Sequence, residues 1–72
     1  MSEPGNTPVG TVGVIGLGRM GRPMAANLVR RGFETFGFDV DPAATDAVRS
    51  VGVQNVPTAA GLVRRAQVVI LS

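Results

Sequence analysis

The chain contains no cysteine, histidine, lysine, tyrosine or tryptophan, and its only aromatic residues are three phenylalanines. Without cysteine there is neither a disulfide framework nor a thiolate metal site, and without histidine the commonest remaining metal ligand is gone. Transition-metal chemistry is therefore not expected, and no residue is assigned to a metal. No stretch approaches the roughly 18 apolar residues of a membrane span. Residues 1–8 have neither the basic nor the apolar region of a secretion signal. The chain reads as soluble and cytoplasmic, with no membrane partner.

The same absences explain an isoelectric point near 11.2. All seven basic residues are arginines against five acidic ones, for a net charge of only +2. Nothing titrates between the carboxylates and the guanidiniums, so the high value is not a sign of a strongly basic surface. The arginines are scattered at positions 19, 22, 30, 31, 49, 64 and 65, and the phenylalanines are confined to 33–38. A nucleic-acid platform needs a clustered basic face or aromatics spaced for stacking, so no nucleic-acid partner is expected.

The 72 residues that remain to be explained are 44% hydrophobic and 17% charged. That is enough apolar content to pack, and short enough to allow one modest core. Residues 1–8, polar and holding two prolines, read as a loose leader, and residues 9–72 as the folded part. Residues 11–15 are apolar, β-branched and bounded by glycine, which predicts a strand buried on both faces. A helix follows from about Met20 or Gly21, with Pro23 held in its first turn. Met20, Met24 and Leu28 recur every four residues, a stripe read as core packing, and Arg30, Arg31 and Gly32 end the helix.

The scheme then repeats. Phe33 to Asp39 predicts a second strand, and Asp41-Pro42 caps and starts a helix with Ala43, Ala44, Ala47, Val48 and Val51 on one face. Val53 to Val56 predicts a brief third strand, and Thr58 caps a helix that turns Ala59, Leu62, Val63 and Ala66 inward. Residues 68–71 form a wholly apolar fourth strand. The order βαβαβαβ with short connections predicts an α/β fold, a Rossmann-like doubly wound parallel sheet.

Glycines in a G-x-G-x-x-G spacing are weak evidence alone, but Gly16, Gly18 and Gly21 follow a predicted strand, open a predicted helix and precede an acidic residue, Asp39, 18 positions after Gly21. That context is the fingerprint of a dinucleotide-binding turn. Gly16 permits the tight turn, Gly18 removes a side chain from the path of the diphosphate, and Gly21 allows close helix packing. The free N–H groups of the first helical turn then favour an anion. Arg19 is positioned in sequence either to contact the phosphates or to stand in solvent. Asp39 suits the adenine-ribose hydroxyls and would repel a 2′-phosphate, and no arginine follows it, so NAD is expected over NADP.

The run Gly13-Val-Ile-Gly-Leu-Gly-Arg-Met-Gly-Arg-Pro-Met-Ala-Ala-Asn-Leu28 resembles the N-terminal signature of the β-hydroxyacid dehydrogenases. That group includes the 3-hydroxyisobutyrate and 6-phosphogluconate dehydrogenases. The stretch Arg31-Gly-Phe-Glu-Thr-Phe-Gly-Phe-Asp-Val-Asp-Pro42 is most similar to the 3-hydroxyisobutyrate and L-threonate branches. The resemblance implies an NAD(P)-dependent oxidoreductase acting on a small hydroxy acid. Gly16, Leu17, Gly18, Arg19, Met20 and Gly21 would hold the diphosphate and Asp39 the ribose, with Leu71 and Ser72 lining the cofactor cleft. Imine reductases share the signature but usually carry an Asn-Arg pair where this chain has Asp39-Val40, which counts against an NADPH-dependent imine reductase.

The family's general acid/base is a lysine, and this chain has none. No catalytic residue is assigned, and a complete active site is not expected here. Four strands against the roughly six of a full doubly wound domain suggest a fold cut after the fourth strand. A completing chain or a homo-oligomer would cover its apolar edge. The other readings of the same residues are a non-catalytic nucleotide-binding module or sensor and a poorly folded remnant.

Overall fold

A computed structural model describes residues 10–72. The expected leader, residues 1–8, lies outside the described residues. The elements run β1 (Thr11–Ile15), α1 (Gly21–Arg30), β2 (Glu34–Phe38), α2 (Pro42–Arg49), β3 (Gln54–Asn55), α3 (Ala59–Arg65) and β4 (Val68–Leu71). The strands form one sheet in the order β3-β2-β1-β4 with every pairing parallel. The chain therefore steps outward from β1 in one direction through β2 and β3, then crosses back to β4 on the other side of β1. This is the βαβ alternation expected from the sequence, wound with helices on both faces of the sheet.

Alternation along β1 decides which helix packs where, because successive side chains leave a strand on opposite faces. Val14 joins Leu17, Ala25, Ala44, Val48 and Val53 in a core under α1 and α2, with Leu28 and Val29 at its margin. Gly13 points the other way, towards α3. A Cβ there would run into the Leu62 side chain, so the absence of one lets α3 lie against the strand. Leu62 is fully buried, and Phe36, beside Gly13 in the register, is nearly so. Arg65 stands over the outer side of the Phe36 ring, 6.0 Å from its centroid.

The helix starts follow the capping chemistry. Asp41 Oδ1 accepts from the Ala43 N–H at 3.0 Å with Pro42 opening α2, and Thr58 Oγ1 accepts from the Gly61 N–H at 3.0 Å at the start of α3. The base of the sheet is tied by Gln67. Its Oε1 accepts from the N–H groups of Gly10 and Thr11 at 2.8 and 3.1 Å, joining the beginnings of β1 and β4.

Four expectations need correction. Met20 does not belong to a core stripe: it stands before α1 and is 70% exposed, and the buried face of that helix is formed by Gly21 and Ala25. Of the α2 face only Ala44 and Val48 are buried, while Ala43, Ala47 and Val51 are exposed. Val63 is also exposed, because the two turns of α3 bring only Leu62 fully under cover. The second and third strands are shorter than Phe33 to Asp39 and Val53 to Val56. β3 holds just the two residues that register with Phe36 and Gly37, while Val53 leaves the ladder and packs into the core.

Candidate cofactor site

All four strands are parallel, so their C-terminal ends lie along one edge of the sheet. β1 is the strand at which the winding reverses, with β2 on one side and β4 on the other. In open α/β sheets the crevice at such a reversal is where ligands bind. The turn from Gly16 to Gly21 leaves β1 at this point. It is flanked by Asp39, just past β2, and by Leu71 and Ser72 at the end of β4, where Ile15 registers with Leu71.

The three glycines stand in different surroundings. Gly16 has φ +96°, a conformation that L side chains rarely adopt, and its Cβ would meet the Ser72 carbonyl oxygen at 2.6 Å. Gly21 sits so close to the end of β1 that a Cβ would overlap the Gly16 carbonyl oxygen and the Ser72 hydroxyl. Gly18 has neither constraint. Its φ is not left-handed, and beyond its chain neighbours no atom of the described residues lies within 4 Å of where a Cβ would stand. The protein's own packing does not call for glycine at position 18; open space lies in front of it.

Behind that space is the start of α1. Asp41 and Thr58 cap α2 and α3, but among the described residues no side chain caps α1. Among the described residues no acceptor is found for the N–H groups of Gly18, Arg19, Met20 and Gly21, and the intrahelical ladder begins with the Arg22 N–H donating to the Gly18 carbonyl at 3.0 Å. These donors and the positive end of the helix dipole face the crevice. Arg19 and Met20 are exposed beside them. Leu17 takes a different part: its side chain is fully buried in the α1–α2 core, so only its backbone reaches the turn.

The Asp39 carboxylate is held from two directions. Its Oδ2 accepts from the Leu17 N–H at 2.7 Å and its Oδ1 from the Asp41 N–H at 2.8 Å. Each oxygen keeps lone pairs for a further donor. A cleft of about 200 Å³ opens beside it, lined by Ile15, Gly16, Phe38, Asp39 and Val40. It borders a larger one of about 340 Å³ towards β3, walled in part by Val40, Pro42, Asn55 and Pro57. The backbone donors, Leu17 first and Asp41 next, lower the Asp39 pKa below its ordinary 3.8 by favouring the charged form.

That shift has a sign in stability. A carboxyl whose folded pKa is depressed takes up protons more readily in the unfolded chain, so its contribution is complete above the ordinary carboxylate value and is lost as pH falls through the folded one. Thermal melts should therefore show the contribution of this group whole and constant between about pH 8 and 5, and declining below about pH 4. Asp39→Asn should show a shallower acid decline than the parent chain. Parallel acid slopes in the two proteins would refute this assignment.

Sequence reasoning named Asp39 for the ribose but missed its grip on Leu17, because nothing in a sequence pairs a carboxylate with a backbone N–H 22 residues away. It also missed the hydroxyl of Ser72, which donates to the Gly16 carbonyl oxygen at 2.6 Å. Among the described residues no group of three or more acidic side chains could hold a metal ion, and no helix is long and apolar enough to cross a membrane.

Residues 11–72 match the family described as the NAD-binding domain of 6-phosphogluconate dehydrogenase. The human mitochondrial 3-hydroxyisobutyrate dehydrogenase is 41% identical over 59 residues, which is 82% of this chain and 18% of the human protein. The solved structure of the Mycobacterium tuberculosis 3-hydroxyisobutyrate dehydrogenase with L-serine superposes with a TM-score of 0.85 at 41% identity, covering 89% of this chain and 22% of that one. An imine reductase from Myxococcus stipitatus, in complex with NAD+, reaches a TM-score of 0.84 at 24% identity over 88% of this chain and 22% of its own, a likeness of fold alone. The chain spans about a fifth of the length of the relatives it matches.

Proposed function

The chain belongs to the family of the NAD-binding domain of 6-phosphogluconate dehydrogenase, and from that membership we propose that it is the cofactor-holding part of an NAD-dependent oxidoreductase acting on a small hydroxy acid. Gly18 carries the reading. Among the described residues it is a glycine that neither backbone conformation nor packing requires, and it faces open space in front of four N–H groups that have no partner there. A diphosphate approaching the start of α1 needs that space and those donors. Gly16, Leu17, Gly18, Arg19, Met20 and Gly21 then hold the diphosphate, the first and third glycines by shaping the turn and Leu17 by anchoring it in the core. Asp39 accepts from the adenine-ribose hydroxyls, and Leu71 borders the crevice on the β4 side.

The chain's own residues bind and orient; they do not transfer the proton of the reaction. Bound nicotinamide supplies the hydride chemistry. The chain has no lysine, histidine, cysteine or tyrosine. Asp39, the carboxylate nearest the turn, is committed to two backbone N–H groups and held in its charged form. A proton donor and the groups that select the hydroxy acid come from sequence other than these 72 residues. The 3-hydroxyisobutyrate dehydrogenases at 41% identity favour a branched or short β-hydroxy acid.

The fixed negative charge of Asp39 also sets the choice of cofactor. A 2′-phosphate on the ribose would be brought against it, and like charges in contact cost several kcal/mol. Calorimetric titration of the chain should show NAD bound, NADP at least about tenfold weaker, and no binding of FAD. Absence of NAD binding to the folded chain would overturn the proposal, and equal affinity for NAD and NADP would overturn the assignment of Asp39.

A further inference from the structure

The peptide plane between Gly16 and Leu17 is held at both ends by side chains from the two strands that flank β1. Its N–H, on Leu17, donates to Asp39 Oδ2 at 2.7 Å from the β2 side, and its carbonyl, on Gly16, accepts from Ser72 Oγ at 2.6 Å from the β4 side. A trans peptide is rigid, and its N–H and C=O point in opposite directions. Two anchors on opposite sides therefore fix the rotation of the whole plane about the chain. The plane stands between two soft positions: Gly16, a glycine at φ +96°, and the turn that continues through Gly18.

We propose that Ser72 is a positioning residue of the diphosphate turn, holding the Gly16–Leu17 plane so that the N–H groups of residues 18–21 keep a common aim into the crevice. The inference rests on the reading of that turn as the diphosphate site. Ser72 itself does not bind the phosphates. Its hydroxyl has one proton, which is given to Gly16, and a phosphate oxygen offers only lone pairs. Its effect on a ligand passes through the turn.

The Gly16 carbonyl shows why the bond matters. It lies where a Cβ on Gly21 would overlap it, and among the described residues no backbone donor reaches it. Without the Ser72 hydroxyl this carbonyl loses its partner in a crowded place, and a polar group left so gains by turning towards water. Rotation of the plane would carry the Leu17 N–H off Asp39 and alter the direction of the chain into Gly18. The backbone of Ser72 is held separately, by its N–H donating to the Ile15 carbonyl at 3.0 Å, so removing the hydroxyl leaves the end of β4 in place.

The test compares Ser72→Ala, Ser72→Cys and Ser72→Thr in the 72-residue chain, each titrated calorimetrically with NAD and with ADP-ribose, well below its melting temperature. ADP-ribose carries the diphosphate and both riboses but no nicotinamide. Loss of the hydroxyl in the alanine variant should weaken both ligands by the same factor, about three- to tenfold. Cysteine, of similar shape but a weak donor, should behave like alanine, and threonine, which keeps the hydroxyl, should restore most of the affinity. Unchanged affinity in the alanine variant would overturn the proposal. A loss confined to NAD would do so too, because it would mean that Ser72 touches the nicotinamide half directly. Failure of the parent chain to bind either ligand would instead strike at the reading of the turn itself.

Discussion

Replacing Gly18 with valine should weaken NAD binding by at least about 100-fold while leaving the melting temperature within ~3 °C of the parent chain. The structure separates these two effects at this position. The backbone at 18 is not in the left-handed region, and no atom of the described residues beyond its chain neighbours lies within 4 Å of the Cβ to be added. A side chain there meets nothing among the described residues, and substitutions of that kind usually change stability by no more than about 0.5 kcal/mol.

The valine methyls would, however, fill the approach to the N–H groups at the start of α1. A hydrogen bond from backbone to a charged group contributes about 1.5–3 kcal/mol. Removing two of them costs about 3–6 kcal/mol, or two to four decades in the dissociation constant. Calorimetric titration with NAD and thermal melts on the same two proteins decide the matter. A valine variant that binds NAD as the parent does would remove the diphosphate from this turn. A large fall in melting temperature would mean that position 18 is structural after all.

What the sequence could foretell divides along physical lines. Element identity was legible where local chemistry acts alone. Asp41 beside Pro42, and Thr58 before an apolar segment, marked two helix starts that the structure reproduces with side-chain caps. The alternation of short apolar runs with helical segments was enough for a parallel sheet, since crossovers of that length leave few other arrangements. The fingerprint glycines and Asp39 could be placed at one edge of the sheet for the same reason: a parallel βαβ unit brings the ends of its strands together.

Depth of burial was not legible in this way. Periodicity tells which residues share a helix face, not how close the helix lies to the sheet. Met20 shares the spacing of Met24 and Leu28, yet the turn lifts it clear of the strands before the helix begins. Val63 adjoins Leu62 but stands 53% exposed, because a seven-residue helix against a two-sided sheet covers a single residue fully. Nor could the Ser72 hydroxyl be assigned to Gly16, 56 positions earlier. That contact depends on the register of β4 with β1, which no local pattern encodes.

Gly21→Ala should have the opposite profile to the change at 18. Helix propensity alone argues for a gain, since alanine is favoured over glycine within a helix by about 1 kcal/mol, and Gly21 has no positive φ to forbid a side chain. Contact argues against it more strongly. The added Cβ would overlap the Gly16 carbonyl oxygen and crowd the Ser72 hydroxyl. The carbonyl is backbone and cannot swing aside as a side chain could: it belongs to the peptide plane held by Asp39 and Ser72. Relief requires α1 to back away from the end of β1, which also drags Ala25 and Leu28 from the core they share with Val14. Overpacking of this kind costs about 1–3 kcal/mol, a large part of the stability of a small domain. The expected outcome is a net loss near 2 kcal/mol, seen as a fall of about 10 °C in melting temperature. NAD affinity should fall with it, because the same retreat carries the N–H groups of the first turn out of line. A rise in melting temperature, as propensity by itself dictates, would show that the helix and strand are not locked together at Gly21.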